Sequence, residues 1–233
     1  MRYVNLLLLC CLLFANHGGL AAAQRVTLSL DQAIEVIQKG IDSPGVSDRE
    51  AWEASYTVLE TAKRNPELVQ PLKQLLVKEV ARIDAWDHFK TELAGGYHQN
   101  LVSALFPLAD PNLVPLFIRK CKYGSFVKEG FAKVGGPAIP PLIDELLDGR
   151  HTTCAAMSLA AIAREGLGPA SQLSADQKKL LRRDLQELVV PALERALELA
   201  RDEERGGRRP GKSRFFMPRV AESLQEIHQL ISE

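Results

Sequence analysis

Proline falls at the same place in four apolar helical patterns of this chain: Leu68-Val69-Gln70-Pro71-Leu72, Leu113-Val114-Pro115-Leu116, Ile139-Pro140-Pro141-Leu142 and Leu188-Val189-Val190-Pro191-Ala192-Leu193. A residue without a backbone N–H is at home in the first turn of a helix and costs about 3 kcal/mol deeper in. Four such placements predict one supersecondary unit used repeatedly, as stacked helix pairs that present a surface. The spacing agrees: Pro115 to Pro141 is 26 residues, and Phe131 to Leu159 and Val134 to Ile162 are each 28. A period held in both helices of a pair, offset by two residues in the turn, predicts a repeat array.

The rest of the mature chain reads as helix too. Ser29-Leu30-Asp31-Gln32 opens a first helix that Gly40 ends, and Ser47-Asp48-Arg49-Glu50 has the form of a capping box. The helix it starts carries Trp52, Tyr56, Leu59 and Ala62 on one stripe and stops at Asn65-Pro66. A pattern from Glu67 to about Ala94 follows. Gly95-Gly96 predicts a break, with a new helix from about Asn100. The next helix carries Leu113, Leu116, Phe117 and Lys120. Gly124-Ser125, Gly135-Gly136-Pro137 and Asp148-Gly149 predict three further turns. Ser174-Ala175-Asp176-Gln177 starts a long charged helix to about Arg205. The segment 205–214 reads as a Gly/Pro/basic loop, and Phe215 to Ser232 as a closing helix. No stretch alternates as a half-buried strand does, so the expected class is all-α.

Arg2, the apolar run from Leu6 to Phe14 and the ending Ala21-Ala22-Ala23 describe a secretory signal peptide, residues 1–23. The run is about half of the ~18–20 residues that span a bilayer as a helix, so no membrane span is expected after cleavage. Residues 24–233 are then one exported domain, periplasmic or extracellular. It carries 28 basic and 29 acidic side chains, a balance that gives no electrostatic reason to expect nucleic acid. Only Cys121 and Cys154 remain after cleavage. In an oxidising compartment they are either one disulfide or two small buried hydrophobes, and spacing does not decide.

The run Lys133-Val134-Gly135-Gly136-Pro137-Ala138-Ile139-Pro140-Pro141-Leu142-Ile143-Asp144-Glu145-Leu146-Leu147-Asp148 resembles the junction of two HEAT-type repeats. In that family a second helix ends at a glycine turn, and the next first helix opens on proline and closes with Leu-Leu-Asp. Ala155-Ala156-Met157-Ser158-Leu159-Ala160-Ala161-Ile162 is similar to the small-residue second helix that follows. The basic residue that members often carry early in the second helix is matched by Lys128 and missing near Thr152-Thr153. The similarity is good over residues 100–165 and loose on either side. It implies an α-α superhelix (solenoid) of stacked antiparallel helix pairs that serves as an interaction surface; such motifs specify a fold and hardly a function.

Chemical sites are few. Gly206-Gly207-Arg208-Arg209-Pro210-Gly211-Lys212-Ser213 satisfies the letter of a phosphate-binding loop. A charged helix rather than a strand precedes it, however, and Pro210 removes a needed donor, so a basic loop is the better reading. Arg208, Arg209, Lys212 and Arg214 remain as cations able to grip an anionic partner. Asp84 and His88 lie one helical turn apart with Asp87 beside them, a partial metal set that needs ligands from elsewhere. No nucleophile has a base and an orienting acid at a recognisable spacing. The expectation is a non-enzymatic scaffold for a protein or peptide, without a cofactor. The alternative is an extracytoplasmic enzyme or metal-binding accessory protein using Asp84, Asp87 and His88.

Overall fold

Serine, glycine and proline set the helix boundaries that their chemistry predicts. A computed structural model describes residues 28–86, 88–205 and 210–233, without the side chains of 203, 204 and 210–216; the expected signal peptide lies outside the described residues. Ser29 and Gln32 form a reciprocal capping box at the start of α1 (Leu30–Lys39), and Ser47 accepts from Glu50 N–H at α2 (Asp48–Arg64). Next come α3 (Lys73–Asp84), α4 (Glu92–Ala104), α5 (Val114–Lys120), α6 (Lys128–Val134), α7 (Ile139–Asp148) and α8 (Thr152–Leu167). A second full capping box, Ser174 with Gln177, opens α9 (Ala175–Asp184), and α10 (Val190–Arg205) and α11 (Pro210–Ser232) close the chain. The fold is all-helical, and no strand occurs among the described residues.

The prolines fall where the missing N–H does least harm. Pro71 sits in the 3-10 turn ahead of α3, and Pro115, Pro140 and Pro141 occupy the first turns of α5 and α7. Pro191 is different. The long charged helix expected to about Arg205 is interrupted by a π turn, Leu185–Val189, in which Val190 N–H donates to the Leu185 carbonyl. Pro191 has no N–H for the Glu187 carbonyl and its ring crowds that oxygen; the wider turn absorbs the defect.

Two expectations are corrected. Gly95 and Gly96 do not break the chain; both lie inside α4, which Thr91 caps through its hydroxyl. A Cβ on Gly96 would stand 2.8 Å from Trp52 Nε1, so this glycine exists for the close approach of α2 and α4 rather than for a turn. Gly96→Ala is expected to cost about 1–3 kcal/mol through overpacking, read as a lower urea midpoint with unchanged slope. The loop expected over 205–214 is helical at both ends: α10 runs to Arg205, α11 begins at Pro210, whose fixed φ suits a first turn, and Pro218 lies within the helix, while 206–209 are outside the described residues.

Helices meet their sequence neighbours and also helices two or three further along the chain. α2 packs on α4, α6 on α8, α8 on α11, and α7 on α10, while α1, α7 and α10 also pack on α2, α8 and α11. Polar contacts fix direction. Thr91 at the start of α4 bonds Asp48 at the start of α2 (2.5 Å), and Asn100 reaches Ser55 midway along (3.1 Å), so α2 and α4 run parallel. Lys73 at the start of α3 pairs with Asp110 just before α5 (2.6 Å), and Asp84 and Lys120 pair at the ends of the same two helices. α3 and α5 are parallel too. A single core of mostly Leu, Ile, Val and Ala runs the length of the described chain, with Phe106, Phe117 and Phe131 edge to face in its middle.

Cys121, just past α5, is disulfide-bonded to Cys154 in α8, with Cα atoms 5.6 Å apart. The alternative left open by spacing is thus decided in favour of the bridge. No helix of the described residues is long and apolar enough to cross a membrane.

Candidate functional site

Two features outside the ordinary core stand out, one buried and one open. The buried one begins with a lysine on an apolar stripe. Lys120 follows Leu113, Leu116 and Phe117 at helical spacing, and that phase carries its ammonium to complete burial at the junction of α3, α4 and α5. There Lys120 Nζ donates to Asp84 Oδ2, and Asp84 Oδ1 meets His98 Nε2 at 3.1 Å. His98 Nε2 also stands 3.2 Å from Lys120 Nζ. The rings of Phe89, His98 and Tyr123 lie in mutual contact, with centroids 5.2–5.6 Å apart.

Burial pushes the Asp84 carboxyl up, but the hydrogen bonds from His98 and Lys120 outweigh it and hold Asp84 below the ordinary carboxylate range. Burial also pulls Lys120 below the ordinary lysine value, against the opposing pull of Asp84. A carboxyl held low contributes stability that is present above its unfolded value of about 3.9 and lost as pH falls through its folded one. Acid unfolding monitored below about pH 4 should therefore be displaced to lower midpoints by Asp84 and flattened in Asp84→Asn. Beside this junction Glu79 accepts from the Tyr97 hydroxyl (2.8 Å) and from Arg82 (2.7 Å), and Arg82 also holds Asp42. Burial and then the neighbouring Glu79 push Tyr97 up, so its hydroxyl stays a donor.

The open feature is a trough along α2, α4, α6 and α8. Its first depression, about 430 Å³, lies between Leu59 and Lys63 of α2, Phe106 and Pro107 after α4, and Glu129 and Lys133 of α6. The second, about 390 Å³, is bounded by Glu129, Lys133, Ala161, Arg164 and Glu165. The third, about 620 Å³, opens between α6, α8 and α9 and is floored by Ile162 and Gly166 and edged by Leu173 and Leu180. Lys133 lines all three, so they are contiguous. Leu180 is 50% exposed and Leu173 36%, giving the α9 end an apolar edge. Gly166 eases that geometry: a Cβ there would stand 2.2 Å from Leu181 Cδ2, so the Leu181 side chain would have to shift to admit one.

Three of the four cations along the trough pair with acids, and Lys128, on the rim of the second depression, forms no ion pair among the described residues. Lys63 pairs with Glu60 (2.9 Å), Lys133 with Glu165 (2.5 Å), and Arg164 holds Glu226 with two bonds of 2.6 and 2.8 Å. Such exposed pairs are worth about 0–1 kcal/mol each, so a ligand that offers one charge displaces the native partner cheaply.

Most of the residues that the sequence singles out lie outside the described side chains. Arg208 and Arg209 lie outside the described residues, and of Lys212 and Arg214 only the backbone is described, helical within α11. Asp87 is likewise outside them. Asp84 pairs with His98 and Lys120. Among the described residues no group of three or more His, Cys, Asp and Glu side chains is placed to hold a metal. Lys120 and His98 were legible only in part: a lysine in the buried phase of an amphipathic helix demands a buried acid, but nothing in the spacing says which. No protein-family model matches the chain, and no curated protein or solved structure is significantly similar to it.

Proposed function

We propose that this protein is an exported, non-enzymatic helical-repeat scaffold, and that it binds a protein or peptide along the trough of α2, α4, α6 and α8. The observation that carries the reading is the continuity of that trough, three depressions sharing Lys133. Parallel packing of α2 on α4 and pairing of α3 with α5 at both ends are what a HEAT-like solenoid of antiparallel pairs requires, since each repeat contacts its neighbours and leaves one extended face. Glu129, Glu165 and Asp184 interleaved with Lys63, Lys128, Lys133 and Arg164 favour a mixed polar and apolar chain over a polyanion, whose binding needs a strongly positive surface. A disulfide persists in an oxidising compartment, which supports export. Mature protein, residues 24–233, serves as bait in the extracytoplasmic fraction beside two variants. One carries Lys133→Glu with Leu180→Ala; the other has Arg208, Arg209, Lys212 and Arg214 changed to serine. The trough variant is expected to lose its partner at least tenfold, about 1.4 kcal/mol, and the serine variant to keep it. The reverse pattern would move recognition to the basic segment.

A further inference from the structure

We infer that the trough accepts a segment with a set order of side chains: a basic one, then an Asp or Glu, then a large apolar one. The basic side chain meets Glu129, the carboxylate meets Lys128, and the apolar side chain enters the third depression. The order rests on the trough being the binding face and specifies what that face accepts.

Two charges on α6 are left over when the ion pairs of the trough are drawn. Lys63 has Glu60, Lys133 has Glu165 and Arg164 has Glu226. Lys128 and Glu129 form no ion pair among the described residues. They are neighbours in sequence, but the helix turns them to different sides. Glu129 borders the first and second depressions, and Lys128 borders the second alone. A base and an acid of the partner therefore meet opposite charges here without displacing a native pair. Charge complementarity of that kind fixes register more than it adds affinity.

The third depression asks for something else. Its two acids are engaged, Glu165 by Lys133 and Asp184 by the adjacent Arg183 at 3.4 Å, so neither is left over for a cation. A carboxylate entering the depression would face both of them. Ile162 of the floor belongs to the core, whereas Leu173 and Leu180 at the edge stand in water. A large apolar side chain seated among them removes that surface from solvent. The volume of about 620 Å³ lies within the ~300–1,000 Å³ of ordinary ligand pockets.

Reach agrees with this order. Neighbouring helices pack about 8–10 Å apart, so the three steps from α2 to α8 cover roughly 30 Å. A segment of twelve residues extends up to about 40 Å.

The test pans a phage-displayed library of random dodecapeptides against the mature protein, residues 24–233, and measures the enriched peptides by fluorescence anisotropy. They are expected to share an acidic residue with a basic one on one side and a large apolar one on the other. Leu180→Ala should weaken the lead peptide about tenfold, and Lys128→Ser about two- to fivefold. Leu180 is half exposed and Lys128 has no ion pair among the described residues, so neither change disturbs folding. Replacing the acid of the peptide by its amide should cost the wild type the same factor as Lys128→Ser, and cost that variant nothing further. Peptides that need Leu180 but carry another order, or an acid indifferent to Lys128, would overturn the order and leave the trough as the binding face. No enrichment, or peptides indifferent to both variants, would overturn the trough reading and the order with it.

Discussion

Asp84→Ala is expected to destabilise the protein by about 3–5 kcal/mol, and Lys120→Met by less, about 1–3 kcal/mol. Both remove one member of the same pair, so the difference comes from what is left. Loss of Asp84 strands an ammonium with no exposure at all and a histidine without its acceptor. Loss of Lys120 leaves a carboxylate whose side chain is 20% exposed and which retains His98, so water can repair part of the damage. The double variant Asp84→Ala with Lys120→Met should be more stable than Asp84→Ala alone, because a buried charge without a partner costs more than no charge. Urea unfolding of the four proteins gives the coupling energy directly. Equal single-variant losses that simply add would show that the junction is not a buried ion pair.

The second large effect is expected from the disulfide. Cys121 and Cys154 are 33 residues apart, and closing a loop of that length removes about 4 kcal/mol of chain entropy from the unfolded state. Both sulfur atoms lie in the core, so alanine replaces them with little polar cost. Cys121→Ala with Cys154→Ala should lower stability by about 2–4 kcal/mol and the melting midpoint by roughly 4–16 °C. Reductant added to the wild type should reproduce the loss; a midpoint unaffected by both treatments would mean the bond contributes nothing in solution.

Much of the helical order was legible because local chemistry and tertiary structure agree. Ser29 with Gln32 and Ser174 with Gln177 cap the helices they announce, and Gly124, Gly135 and Gly149 end them. Gly95-Gly96 misled because a glycine pair has two physical uses, a turn or a close approach, and only the position of Trp52, 44 residues earlier, distinguishes them. Pro191 does fall in the first turn of α10, but α10 follows α9 through a π turn instead of a loop. Its π turn is a compromise between a continuous helix and a missing donor, and the sequence carries no mark of which side wins. The trough was not legible residue by residue: Leu59, Lys133 and Leu180 have unrelated local contexts and are joined only by packing. The partners of Asp84, His98 and Lys120, lie 14 and 36 residues away, so no local spacing marks them.

Photo-crosslinking tests the central claim most directly. A photoreactive amino acid is placed singly at Lys133 or Leu180 in the trough, and at Leu147 on α7 or Leu68 ahead of α3, both exposed and outside it. Irradiation in the native extracytoplasmic extract should give one shared protein adduct from Lys133 and Leu180 and none of it from Leu147 or Leu68. The same adduct from Leu147 or Leu68, with none from the trough positions, would contradict the account.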